Sequence, residues 1–286
     1  METLNDQLAN AFKAACLQEL EALKPGNVHV FADGHNMTVQ DFIISAEVVF
    51  KVIALPDLTL GQRILKSVQA TNEAVGCNTN LGIILLCGPL IHAALIKNEQ
   101  TFEHNLKAVL ASTSIADAQN VFAAIKLANP AGLGKSEKYD VHHQPNCTLQ
   151  QAMQFAAHRD LIAQQYTNNF ADILNVGVRA YQHAFNRLQN SAWATSELYL
   201  TLLSQYIDSH IVKKNSEQIA KDTMNEAKKH LNQFKNMKNP KLYLSKLLAW
   251  DTELKAKGIN PGTTADMTVA SILLINFKLD HLSFSN

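Results

Sequence analysis

The stretch LNDQLANAFKAACLQELEALKPG, residues 4–26, decides the fold class. Its apolar residues fall at Leu4, Leu8, Phe12, Ala15, Cys16, Leu20 and Leu23 and make one stripe along a helix of 3.6 residues per turn. Lys24-Pro25-Gly26 ends that helix, because proline cannot continue the hydrogen-bond ladder and glycine tolerates the turn. Working outward, the same period recurs. Thr38 and Asp41 read as a capping box that opens a helix reaching about Leu55. Further helices are predicted over 60–74, 80–97, 101–111, 115–128, 148–175, 177–189, 191–207, 216–235, 241–256 and 264–282. Residues 129–147 are the one long irregular stretch, and strand-like alternation is nearly absent. With no linker of low complexity and no repeat, residues 1–286 read as a single all-α domain, a compact bundle of about twelve helices.

Composition narrows the function. Lys plus Arg number 25 and Asp plus Glu 25, so there is no net field to hold a polyanion, which argues against nucleic acid as a partner. The longest apolar stretch, Leu81 to Ile96, contains Pro89 and His92 and is too short for a membrane span. The first residues carry acids where a signal peptide has a basic start, so a cytoplasmic, membrane-free protein is expected. Cys16, Cys77, Cys87 and Cys147 are too widely spaced for a CxxC site, and four cysteines in 286 residues do not suggest a disulfide scaffold.

Several acids fall on faces where solvated acids do not belong. Glu19 lies in the stripe of the first helix, between Cys16 and Leu23. Asp160, in the helix predicted from Thr148, shares a face with Ala156, Ala163, Thr167 and Phe170. An inward carboxylate is costly unless it is paired, protonated or bound to a cation. A structural ion pair with an Arg or Lys, such as Arg159 or Arg179, weighs equally with catalysis for each, and two such acids together favour a Mg²⁺ or acid–base site. Asp208 ends an apolar helix just before Lys213, Lys214 and Asn215. Asp266 closes a second apparent box, Thr263-x-x-Asp266, behind a Pro261-Gly262 turn able to offer N–H groups to an anion. His92, in an apolar helix, reads as a satisfied core histidine. Gly134-Lys135-Ser136 mimics the end of a phosphate loop, but position 129 is Asn and the flanking strand and helix are missing.

Five collinear segments together resemble the triphosphoribosyl-dephospho-CoA synthase family. Glu19 with Lys24-Pro25-Gly26-Asn27-Val28-His29 is similar to its E…KPGLVD opening, and GHNMTVQDFIISA, with His35, to its GAHxDM segment. GCNTNLG (76–82) corresponds to GVNTHKG, DSHIVKKN (208–215) to DTNLVHRG, and NPGTTADM (260–267) to SPGGSADL. The resemblance implies an all-α, Mg²⁺-dependent transferase that takes ATP as substrate, expels adenine and joins the triphosphoribosyl group to dephospho-CoA. Together with the inward position of Asp160, it points to Glu19, Asp160 and Asp208 as catalytic acids, and it implies Glu19, Asp208 and Asp266 as metal ligands. Lys24, Gly26, Asn27, His35, Asn78, Thr79, Asn80, Gly82, Lys213, Lys214, Gly262 and Thr263 would bind substrate phosphates.

Two departures bear on the substrate. Asn80 and Leu81 stand where the family has His and Lys, and Lys213-Lys214-Asn215 replaces His-Arg-Gly. They leave open a sister enzyme acting on a phosphorylated intermediate of a methanopterin- or methanofuran-type carrier. A non-catalytic helical scaffold is the third alternative. The expected partner is a small-molecule nucleotide or phosphorylated cofactor precursor, and a homodimer is compatible with it.

Overall fold

The structure, a computed structural model, describes residues 2–130, 133–237 and 239–277. Among these it is all-α, with fourteen α-helices, one π-helical turn and one 3-10 turn. The first half contains α1 (Leu4–Glu21), α2 (Val39–Ile53), α3 (Leu60–Val75), α4 (Leu81–Ala94), α5 (Phe102–Ala111) and α6 (Ile115–Ala128). The second contains α7 (Leu149–Ala156), α8 (Leu161–Thr167), a π turn (Asp172–Gly177), α9 (Val178–Leu188), α10 (Ser191–Gln205) and α11 (Ser209–Lys214). It closes with α12 (Glu217–Lys235), a 3-10 turn (Pro240–Tyr243), α13 (Leu244–Ala256) and α14 (Gly262–Asn276). The predicted last helix ran to 282; its end lies outside the described residues.

Local chemistry explains most helix starts. Thr3, Thr38, Thr59, Ser114 and Thr148 each cap a helix through a reciprocal box, satisfying donors that no preceding turn can reach. Glycine in the left-handed region stops α3 at Gly76 (φ 66°). At the C-terminal end of α2, Arg63, 2% exposed, donates to the carbonyls of Ile53 (2.6 Å) and Leu55 (2.9 Å). That places a cation on the negative end of the helix.

Two helices run through the middle. α4 is apolar on every side and packs on α3, α5 and α14, while α14 also meets α1 and α10. Pro89 inside α4 has no N–H for the Leu85 carbonyl, and the buried Tyr166 hydroxyl donates to that oxygen instead (2.6 Å). A second apolar cluster joins α10, α12 and α13.

The structure corrects the sequence reading in four places. The helix predicted over 148–175 is broken, since α7 stops at Ala156 and Asp160 caps α8 by accepting from the Ala163 N–H (3.0 Å). Asp208 opens a helix rather than closing one, accepting from the N–H groups of His210 (2.9 Å) and Ile211 (3.1 Å). The Thr263-x-x-Asp266 box does not form: Pro261 is the cap position, so both residues already lie inside α14. Finally, His92 is not satisfied, because its buried Nδ1 has no hydrogen-bond partner among the described residues, and burial lowers its pKa to about 4.

Candidate functional site

The first motif is a buried anchor. Lys24 is 0% exposed, and its ammonium forms an ion pair with Glu19, itself 4% exposed, and donates to Asn27 Oδ1 (3.2 Å). Neither Arg159 nor Arg179 pairs with Glu19. Burial pushes the Glu19 carboxyl up and the Lys24 ammonium down, and each charge pulls the other part of the way back. Gly26 sits at φ 84° with its N–H donated to Asp251 Oδ1 (2.8 Å) and its carbonyl bonded to His35 Nε2 (2.8 Å). A Cβ there would lie 2.8 Å from Pro261 Cδ, so only glycine fits this approach. Asn27 Nδ2 donates to Asn260 Oδ1 (2.8 Å), tying the first motif to the last.

Asp208, 0% exposed, joins the fourth motif to the fifth. One of its oxygens caps α11, and the other accepts from the Thr264 N–H (2.7 Å) and hydroxyl (2.8 Å) at the start of α14. This long-range cap replaces the local box expected at Thr263, whose hydroxyl instead bonds Ser209 Oγ (3.1 Å). Gly262 lies against the His210 ring, where a Cβ would meet Nδ1 at 2.4 Å.

In front of these anchors is a cavity of about 390 Å³. Of the expected site residues, His35, Asn78, Gly82, Asp160, Lys213, Lys214, Thr263 and Asp266 line it. Glu19, Lys24, Gly26, Asn27, Thr79, Asn80, Asp208 and Gly262 do not; they form or brace the wall behind. Thr79 spends its hydroxyl on Ser45 (2.6 Å), and Asn78 Oδ1 accepts from the Leu81 N–H (3.1 Å), so that pair holds the start of α4. Asp160 is paired with a lysine, Lys213, as the ion-pair reading allowed, whereas among the described residues Lys214 has no carboxylate partner.

Asp266 is the conspicuous group. No hydrogen bond reaches its carboxylate among the described residues, and it faces the cavity beside Gly82. A Cβ on Gly82 would lie 1.9 Å from Asp266 Oδ2, so the glycine makes room for a carboxylate. Burial, with the charges of Asp208 and Glu19 behind it, pushes the Asp266 pKa well above the carboxylate range. The expected metal set of Glu19, Asp208 and Asp266 does not converge: among the described residues no three His, Cys, Asp or Glu side chains are grouped to hold an ion. Of these three, Asp266 alone has no hydrogen bond or ion pair among the described residues. That still fits a magnesium ion carried in on phosphates, which commonly takes only one or two protein carboxylates.

The opposite end of the cavity was not anticipated. There the irregular segment passes over α6 and α7, and Phe122, Leu133, Tyr139, Val141, Met153 and Phe155 line an apolar wall. The only sequence signal was an irregular stretch of this length, and long loops in compact domains are often functional.

No single helix among the described residues is long and apolar enough to cross a membrane. No curated protein matches the chain. A solved structure, that of a candidate triphosphoribosyl-dephospho-CoA synthase from Archaeoglobus fulgidus, is similar in fold, with a TM-score of 0.61 at 24% identity. The alignment covers 82% of this chain and 96% of that one. The family model for CitG, ATP:dephospho-CoA triphosphoribosyl transferase, matches residues 5–283. Spanning almost the full sequence, that match identifies the chain as a member of the ATP:dephospho-CoA triphosphoribosyl transferase family.

Proposed function

We propose that this chain transfers the triphosphoribosyl group of ATP to dephospho-CoA, releasing adenine. One observation carries the reading: residues from the second to fifth motifs meet in one cavity, and the first motif braces it through Asn27 and Asn260. The polar end suits a triphosphate. Lys214, and Lys213 beside its partner Asp160, supply positive charge there, and the first turn of α4 adds the positive end of its helix dipole, whereas at α14 Asp208 already takes the Thr264 N–H.

In the reaction, a hydroxyl of the acceptor forms a bond to C1′ of the ATP ribose while the bond from C1′ to adenine breaks. Adenine leaves with the bonding electron pair and takes up a proton, and the acceptor hydroxyl loses one. Of the three acids that line the cavity, Asp140 is taken up by its own segment, which leaves Asp160 and Asp266 to accept or hold that proton. Glu19 and Asp208 act through others: Glu19 neutralises Lys24, and Asp208 fixes the start of α14, which carries Asp266. Asp266 is the residue that would hold Mg²⁺, which there would shield the phosphate charge.

Mass spectrometry of dephospho-CoA after incubation with the protein, ATP and Mg²⁺ tests this reading. A mass gain of one triphosphoribosyl group is expected, and an unchanged acceptor refutes it. Leu81 in the cavity wall, where the family motif has lysine, supports a second reading, a sister activity on another phosphorylated substrate. Turnover only with a different phosphate ester would select it.

A further inference from the structure

The apolar end of the cavity is walled by side chains that pack on one another. Phe122, Cys147 and Ala152 form a small buried cluster of their own, with Tyr139 and Val141 packed against it. Tyr139 stands at φ 53°, a left-handed backbone that a bulky side chain rarely adopts. Its ring meets Phe155 edge to face, with centroids 5.6 Å apart and planes at 85°. Arg159 lies over the Phe155 ring at 5.2 Å and donates to Ser136 Oγ (2.9 Å), tying the irregular segment to α7. Asp140, the acid in this wall, has both oxygens occupied, accepting from the N–H groups of Ser136 (2.8 Å) and His142 (2.8 Å). The end therefore offers a slot walled by aromatic and aliphatic side chains, with Lys138 and Arg159 beside them and Asp140 held by its own segment.

The cavity thus runs from a cationic end to an aromatic one. A nucleoside triphosphate has the same polarity, with charge at one end and a flat neutral heterocycle at the other. Dephospho-CoA carries an adenine as well, but its diphosphate brings less charge to the cationic end than a triphosphate does, and its flexible arm carries amides that hydrocarbon walls would leave without partners. We infer that the apolar end is the subsite for the base of the donor nucleotide, with Tyr139 the wall against which the base lies. Phe155 and Arg159 are positioning residues behind it. The inference rests on the donor reading above.

Calorimetry on the full chain tests it with three probes: MgATP, magnesium tripolyphosphate and dephospho-CoA. Tyr139→Leu keeps apolar bulk and removes the ring. It should weaken ATP binding about tenfold, the scale of losing one aromatic ring under a base, and leave tripolyphosphate within about twofold. Tyr139→Phe should bind ATP nearly as the wild type does. Phe155→Leu, on α7 and outside the irregular segment, should show the same selective loss. ATP binding unchanged in both leucine variants overturns the assignment, as does an equal loss of tripolyphosphate binding. Loss of dephospho-CoA binding alone gives this end to the acceptor. A wild-type protein that binds neither ATP nor tripolyphosphate overturns the donor reading itself, and the base subsite with it.

Discussion

Removing one charge of the Glu19–Lys24 pair should unsettle the fold before it touches chemistry. Both side chains are almost fully enclosed, at 5% and 0% exposure, and each neutralises the other. Glu19→Gln leaves the Lys24 ammonium without a counter-charge in a dry interior, and Lys24→Met does the same to the carboxylate. Orphaning one member of a buried pair costs about 3–5 kcal/mol. At roughly 2–4 °C per kcal/mol for a chain of this class, each single variant should melt roughly 10 °C below the wild type. The double variant leaves no orphan, so its loss should fall short of the summed singles by up to about 3 kcal/mol. Thermal and urea melts of the four proteins complete the cycle. Single variants that melt within about 2 °C of wild type, or a double variant that is simply additive, would refute the reasoning.

Three further outcomes follow from particular contacts. Gly82→Ala should cut turnover at least about tenfold, because the new methyl displaces the Asp266 carboxylate. Its melting temperature should move little, since helix propensity gains up to about 1 kcal/mol and the displaced rotamer costs about as much; normal turnover would contradict the role of Asp266. Asp266→Asn should make the substrate-free protein more stable at pH 8 but not near pH 4. A carboxyl whose folded pKa is raised contributes stability that is complete below its unfolded pKa and is lost as pH rises through the folded one. The difference should grow by about 1.4 kcal/mol per pH unit across that window, and a flat profile would sink it. Tyr166→Phe should cost about 1–3 kcal/mol by orphaning the Leu85 carbonyl, and Pro89→Ala in that background should recover most of the loss by restoring an N–H. Chemical melts that show no recovery would separate the hydroxyl from the proline.

What could be read from the sequence was what local chemistry writes into it. The stripe of α1, the T-x-x-D and T-x-x-Q caps, and the inward position of Glu19 all depend on residues within a turn or two of one another. Asp160 misled because α7 and α8 bury the same side, so the apolar pattern runs through a break that only its cap reveals. Asp208 and Asp266 misled for a different reason. The start of α14 is capped by an acid 56 positions earlier, which frees Asp266 to face the cavity, and no local spacing announces such a contact. Tyr139 and Phe155 gave no motif at all, since an aromatic wall over a cavity has no sequence period.

The central claim is that the cavity breaks the bond between adenine and ribose and leaves the triphosphate intact. Chromatographic measurement of free adenine and free phosphate, after incubating the protein with ATP, Mg²⁺ and dephospho-CoA, tests it most directly. The account predicts adenine in equal amount to modified acceptor, with no phosphate above background. Phosphate release without adenine would contradict it.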